Sequence, residues 1–297
     1  MKAKTLCLRI GVVLVLVAIA VAAWVILAPP PAKPIRLDAA ALAAGSSPFS
    51  YQNYAEALKT FVNDVGMVNY KGLKANSKAL DAFLAALGAL DPKVFAAWSE
   101  KEKIAFWINA YNACTLKAII ANYPIRASVV GSLRFPGNSI RQISGVWSAL
   151  QFRVMGEEIT LDTIEHKRLR AQFNEPRIHM ALVCAAMSCP PLRNEPYVAD
   201  RLDPQLDDQT KRFLATPTKL RIDRDKGVVH LSAIFKWFGD DFVKTFGTDR
   251  PARHGESVRA VLNIVGRSLA RKDADYLAEG QFDVDYLDYD WSLNEQK

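Results

Sequence analysis

Residues 11–28 read GVVLVLVAIAVAAWVILA, a run without a single charge, and no other feature of the chain constrains it as strongly. As a helix rising about 1.5 Å per residue, the run covers most of a bilayer's hydrocarbon core. Lys2, Lys4 and Arg9 precede it. The positive-inside rule therefore places the N-terminus in the cytoplasm and everything after Pro29 outside, on a single pass through the inner (cytoplasmic) membrane. The run exceeds the ~7–15-residue apolar core of a cleaved signal peptide, and the nearest small-residue site, at 41–43, lies well beyond its end, so an uncleaved anchor is expected. Cys7 lies before the run, which argues against a lipoprotein. Residues 29–34 (PPPAKP) stop the helix and stiffen the exit. The expected organisation is a cytoplasmic basic segment at 1–10, a transmembrane anchor at 11–28, a Pro/Ala-rich tether at 29–49 and a single exported domain at 50–297.

Half of the 297 residues are hydrophobic and 23% are charged, which is enough apolar surface for a packed core. The net charge of +7 is partly that of Lys2, Lys4 and Arg9, and the rest is scattered through mixed-sign segments such as 221–226 (RIDRDK), with no basic stripe. Nucleic acid is therefore excluded as a partner. The expected partners are the lipid bilayer, through residues 11–28, and an envelope substrate or protein.

In the exported part, apolar spacing predicts helices at 51–64, 77–90 and 92–98, with a short extended piece at 68–70. The longest pattern opens at Ser99-Glu100-Lys101-Glu102, a capping-box signature, and runs to Tyr123, where Pro124 closes it. Its apolar residues lie almost all round, so this helix is expected at the centre of the core. After Pro124 the texture becomes strand-like at 129–135, 148–155, 219–223 and 227–231, with a last strand at 282–287. Helices are expected from Thr160, at 202–215, 233–247 and 255–270. Residues 177–185 (RIHMALVCA) read as a buried strand. Helical runs followed by strands make an α+β fold: a helical N-terminal half whose long buried helix packs on a small mixed or antiparallel sheet.

Three groups carry candidate chemistry. Asn109 and Asn112 share one face of the central helix, where buried amides must find partners; holding neighbouring backbone is the plainer role and a direct part in a site the other. Glu165-His166 offers an imidazole with a carboxylate beside it. The densest group is 179–190 (HMALVCAAMSCP). There Cys189 is a candidate nucleophile with His179 or His166 as base; or His179, Cys184 and Cys189 are zinc ligands; or Cys184 and Cys189 form a disulfide. Strand alternation would put His179 and Cys184 on opposite faces and leave Cys184 in the core. Cys114, mid-helix among apolar neighbours, is expected to be core.

Residues 106–113 (FWINAYNA), 161–166 (LDTIEH), 179–192 (HMALVCAAMSCPPL), 231–238 (LSAIFKWF) and 289–294 (YDWSLN) resemble the family called domain of unknown function 547, across nearly all of the exported part and in the family's order. The family has no settled activity. The resemblance implies that Asn109, Asn112, Glu165, His166, His179, Cys184, Ser188 and Cys189 occupy its motif positions. Val183 is a departure, because many members resemble L-N-C where this chain has Leu182-Val183-Cys184.

The expected site therefore has Cys189, His179, His166, Glu165 and Asn109 in catalytic roles and Asn112, Ser188 and Cys184 in binding ones, with no cofactor and no metal assigned. It would serve a thiol-dependent hydrolase or acyl/peptidyl transferase, Glu165 or Asn109 orienting the base. The alternative is a non-catalytic envelope binding or scaffold domain whose Cys, His and Asn residues are structural. An exposed thiol at Cys189 favours the first and a buried or bridged one the second.

Overall fold

The structure is a computed structural model that describes Ile35 and residues 49–297. Its first half is helical: α1 (Gln52–Phe61), α2 (Tyr70–Ala75), α3 (Lys78–Ala89), α4 (Pro92–Ala96) and α5 (Glu100–Asn122). The capping box forms as the sequence predicts: Glu102 donates its N–H to the Ser99 hydroxyl at 3.3 Å, and the Ser99 N–H donates to the Glu102 carboxylate at 2.7 Å. Every residue of α5 from Ile104 to Ile120 is buried. That includes Lys117, whose ammonium lies 2.6 Å from the Asp81 carboxylate of α3, with both side chains buried. Of the described residues, α5 is the one helix long and apolar enough to cross a membrane, and 94% of its apolar window lies inside the protein, as a core helix. The expected anchor at 11–28 lies outside the described residues.

A one-turn helix α6 (Val129–Ser132) and the hairpin of β1 (Phe152–Val154) and β2 (Glu157–Ile159) follow. A π-helix spans Thr163–Arg170 and a 3-10 helix Pro176–Met180. Then come α7 (Leu202–Leu214), β3 (Leu220–Asp223), β4 (Val228–Ser232), α8 (Ala233–Phe238), α9 (Val243–Phe246), α10 (Glu256–Arg267), α11 (Arg271–Glu279) and β5 (Asp283–Leu287). The three-stranded sheet runs β3-β4-β5, antiparallel between β3 and β4 and parallel between β4 and β5. Helices with two small sheets make the fold α+β, as expected, but the three-stranded sheet packs in a hydrophobic cluster apart from that of α5, where the sequence predicts the long helix to lie on the sheet.

Two hydrophobic clusters organise these elements. The larger surrounds α5, and the smaller lies between the three-stranded sheet, α8 and α10. Ile178 and Ala181 belong to the first and Met180 to the second, so the segment after Pro176 runs along the seam.

Several expected elements differ. Residues 177–185 are a 3-10 turn and a loop instead of a buried strand, because Asn112 takes the backbone groups of Ala181 and Val183 that a neighbouring strand would otherwise hold. Residues 129–135 form α6 and a turn, with the Ser128 hydroxyl accepting from the Gly131 N–H at 2.9 Å as an N-cap. The strand at 148–155 shrinks to β1, and the helix at 233–247 breaks into α8, a 3-10 turn at Gly239–Phe242 and α9. Tyr70 begins α2 where an extended piece was expected, and α11 has no counterpart in the sequence reading.

Candidate functional site

Along the seam lies a cavity of about 260 Å³, lined from α5 by Tyr111, from the π-helix by Glu165 and His166, from the central loop by His179, Cys184 and Cys189, from α8 by Trp237, and from the C-terminal segment by Tyr289 and Trp291. Arg141, Trp147 and Asp162 also line it, with Leu182, Ile234 and Phe238. Because 177–185 is not a strand, His179 and Cys184 face one cavity and not opposite sides of a sheet.

The imidazoles are joined by a charged relay. Arg170 points its Nη1 at His166 Nδ1, 2.9 Å away, and forks onto Asp241 with bonds of 2.6 and 2.9 Å. Asp241 in turn lies 2.7 Å from His179 Nε2. A guanidinium only donates, so His166 Nδ1 accepts and its proton sits on Nε2; a carboxylate only accepts, so His179 carries its proton on Nε2. Burial pushes the Asp241 carboxyl up, but the hydrogen bonds from His179 and Arg170 outweigh it and hold the group well below the usual carboxylate range. The buried His179 ring stacks on Phe238 with centroids 4.2 Å apart, and Arg170 lies over the same ring. The π-helix, one residue per turn wider than an α-helix, carries Glu165, His166 and Arg170 together.

Cys184 and Cys189 are joined as a disulfide, one of the three alternatives their spacing leaves open. The Tyr289 hydroxyl lies 3.1 Å from the sulfur of Cys189 and 3.4 Å from that of Cys184, and the Cys184 N–H donates to Cys189 Sγ at 3.1 Å. Burial, with the Glu165 carboxylate adding to it, pushes the Tyr289 hydroxyl far up, so it stays protonated. Ala185, inside the bridged loop, has φ of 60°, a left-handed conformation that a non-glycine residue holds only when its surroundings enforce it. Cys189 is buried, and both sulfurs are occupied with each other, so neither is a thiolate for zinc in this state. Cys114 is a buried free thiol in α5, pushed up by burial.

The amides have structural partners. Asn109 donates to the Tyr197 carbonyl at 2.8 Å and accepts from the Tyr197 N–H at 3.0 Å; Asn112 does the same for Ala181 and Val183, both at 2.9 Å. Neither lines the cavity. Ser188 accepts from the Asp290 N–H at 2.8 Å and donates its own N–H to the Asp290 carbonyl at 3.0 Å, which seats Tyr289 and Trp291 against the loop. Val183, where an amide is missing, is a buried apolar residue of the α5 cluster.

The aromatic wall escapes the sequence reading. Trp291 packs on Tyr289 at 4.5 Å and near Trp237 and Trp147 at 6.2 Å. The Arg141 guanidinium lies 4.7 Å from the Trp291 ring and 4.6 Å from that of Phe135, with no ion pair among the described residues. Tyr289 and Trp291 are the aromatics of the YDW motif, and Trp237 lies in IFKWF, so a signal existed for these. For Arg170, Asp241 and Arg141, charges with no motif to single them out, none did.

A family model described as "Protein of unknown function, DUF547" matches residues 95–214, which hold the central helix, the π-helix and the bridged loop. No curated protein and no solved structure matches the chain.

Proposed function

The chain carries a domain of the DUF547 family, whose description assigns no chemistry, and from its cavity we propose a binding domain of the cell envelope that takes a saccharide-type ligand. Residues 11–28 would hold it at the outer face of the inner membrane, in keeping with the charge-free run and the basic residues before it. The observation that carries the reading is the cavity's composition: Trp147, Trp237, Tyr289 and Trp291 beside Glu165, His166 and Arg141. A sugar ring has flat C–H faces that pack on indole and phenol rings, and a rim of hydroxyls that needs both acceptors and donors; this cavity offers both. Cys189, buried and bridged to Cys184, supports the non-catalytic reading, which calls for a thiol out of reach.

The test is calorimetric titration of the full chain in phospholipid nanodiscs with a β-1,4-linked N-acetylglucosamine tetramer. Saturable binding that Trp291→Ala and Glu165→Gln each weaken, the protein remaining folded, supports the reading; no heat of binding to the native chain counts against it.

A second reading, the thiol-dependent hydrolase or acyl/peptidyl transferase, is favoured by one specific contact, His179 Nε2 to Asp241 at 2.7 Å. An orienting carboxylate on one ring nitrogen leaves the other to exchange a proton with a thiol, so after reduction Cys189 would be the nucleophile and His179 its base. In this reading Asp241 takes the orienting role that the sequence gives to Glu165 or Asn109. The reaction would require the disulfide to be opened first, and turnover of a thioester substrate that appears only with a reductant and disappears in Cys189→Ser would establish it.

A further inference from the structure

On the far side of the bridged loop lies a second cavity, of about 380 Å³, which shares Cys189 with the first and uses none of its polar groups. Its charged lining is Lys219, Arg212 and Asp64. Lys219 is 6% exposed, yet no carboxylate among the described residues lies within ion-pair distance of it. Its ammonium donates to the Met187 carbonyl at 2.6 Å and sits 6.0 Å from the Phe213 ring. Arg212 also lacks an ion pair among the described residues, and it donates to the backbone carbonyl of Asp64. The Asp64 carboxylate itself accepts from the Asn194 amide at 2.9 Å. A buried ammonium is costly unless an anion compensates it. Two unpaired cations opening on one cavity leave that role to a ligand.

We propose that this cavity is a carboxylate-binding site, in which Lys219 and Arg212 hold the carboxylate of a ligand whose apolar body lies against Val65, Met187 and Pro190. The charges favour a monoanion over a phosphate dianion: Lys219, Arg212 and Asp64 give the lining a net charge of +1, which one carboxylate balances. The apolar side is plain in Val65 and Met187, which are 69% and 40% exposed. A peptide C-terminus and a fatty acid share this chemistry. Burial lowers the Lys219 ammonium to about 8, with Asp290 opposing the shift.

The measurement is competitive acetylation of Lys219 with acetic anhydride, read by mass spectrometry from pH 6 to 10 on the full chain in nanodiscs. Saturating N-acetyl-Ala-Leu or octanoate should raise the midpoint and slow labelling below pH 8 by roughly tenfold, since a bound carboxylate favours the charged amine. Protection by the peptide alone identifies a chain terminus, and by octanoate alone a fatty acid. The C-terminal amide of the peptide should not protect. In Arg212→Met the ligand's effect should vanish while Lys219 still labels with its native midpoint, which separates a binding role from a structural one. Identical labelling with and without either carboxylate up to about 10 mM, beyond which binding is weaker than any useful site, would overturn the proposal. Equal protection by the amide, or stronger protection by inorganic phosphate, would overturn it too.

Discussion

Asn112 accepts the backbone N–H of Val183 at 2.9 Å, across 71 residues of sequence, and so gives the central loop the partner that a neighbouring strand would have supplied. With its other bond, to the Ala181 carbonyl, it fixes the stretch from which His179 and Cys184 reach the same cavity. Replacing it by leucine strands a buried N–H and a buried C=O. Asn112→Leu should lower stability by about 1–3 kcal/mol, read as a drop in the thermal midpoint. An unchanged midpoint with lost ligand binding would instead move Asn112 into the site.

The Lys117–Asp81 pair bears on the same helix. Asp81 also accepts from the Ser77 hydroxyl at 2.8 Å, so its charge is fully engaged inside the core. Asp81→Leu leaves Lys117 buried and uncompensated and should cost about 3–5 kcal/mol, whereas the double variant Asp81→Leu/Lys117→Met should recover most of that loss. Urea unfolding of the four proteins of the cycle measures both.

The carboxyl of Asp241 titrates lower in the folded chain than in the unfolded one, held down by His179 and Arg170. A depressed carboxylate contributes stability that is fully present above its unfolded value of about 3.9 and is lost as pH falls through the folded one. Stability should therefore fall below about pH 4, and Asp241→Asn should flatten that acid limb while lowering stability at neutral pH. Denaturant midpoints from pH 2 to 7 check the sign: an equally steep acid limb in the variant would mean that Asp241 is not the group responsible.

Iodoacetamide should label neither Cys184 nor Cys189 of the folded chain until a reductant is added. After reduction Cys184, half-buried on the cavity wall, should react before Cys189, which is 4% exposed, and Cys114 should stay silent until the chain unfolds. Reduction should also lower stability by about 2 kcal/mol, the low end for a disulfide because the closed loop is short. Mass-spectrometric mapping reads the order, and fast labelling of Cys189 without reductant would restore the free-thiol enzyme.

The elements legible in the sequence are those whose signals are local. The α5 helix announces itself through the Ser99–Glu102 box, and β3 and β4 through alternation around a turn at Gly227, whose φ of 63° suits glycine. The 177–185 segment is misread because its partner is a side chain on α5 and not a strand, a relation that no periodicity can express. Local signal did gather Glu165, His166, His179, Cys184 and Cys189 at one cavity. It could not find Asp241 and Arg170, which acquire meaning only when a 3-10 turn and a π-helix bring them against the two imidazoles.

The chain's six tryptophans allow the central claim to be tested in place. Trp147, Trp237 and Trp291 line the cavity, whereas Trp98 and Trp107 pack with Phe106 beside α4 and α5. With 5-fluorotryptophan incorporated and the resonances assigned by single Trp→Phe changes, the ¹⁹F spectrum of the full chain in nanodiscs is followed as the N-acetylglucosamine tetramer is added. The saccharide-binding account predicts saturable shifts at Trp147, Trp237 and Trp291 with Trp98 and Trp107 unmoved. A spectrum in which the three cavity resonances stay fixed at saturating saccharide would contradict it.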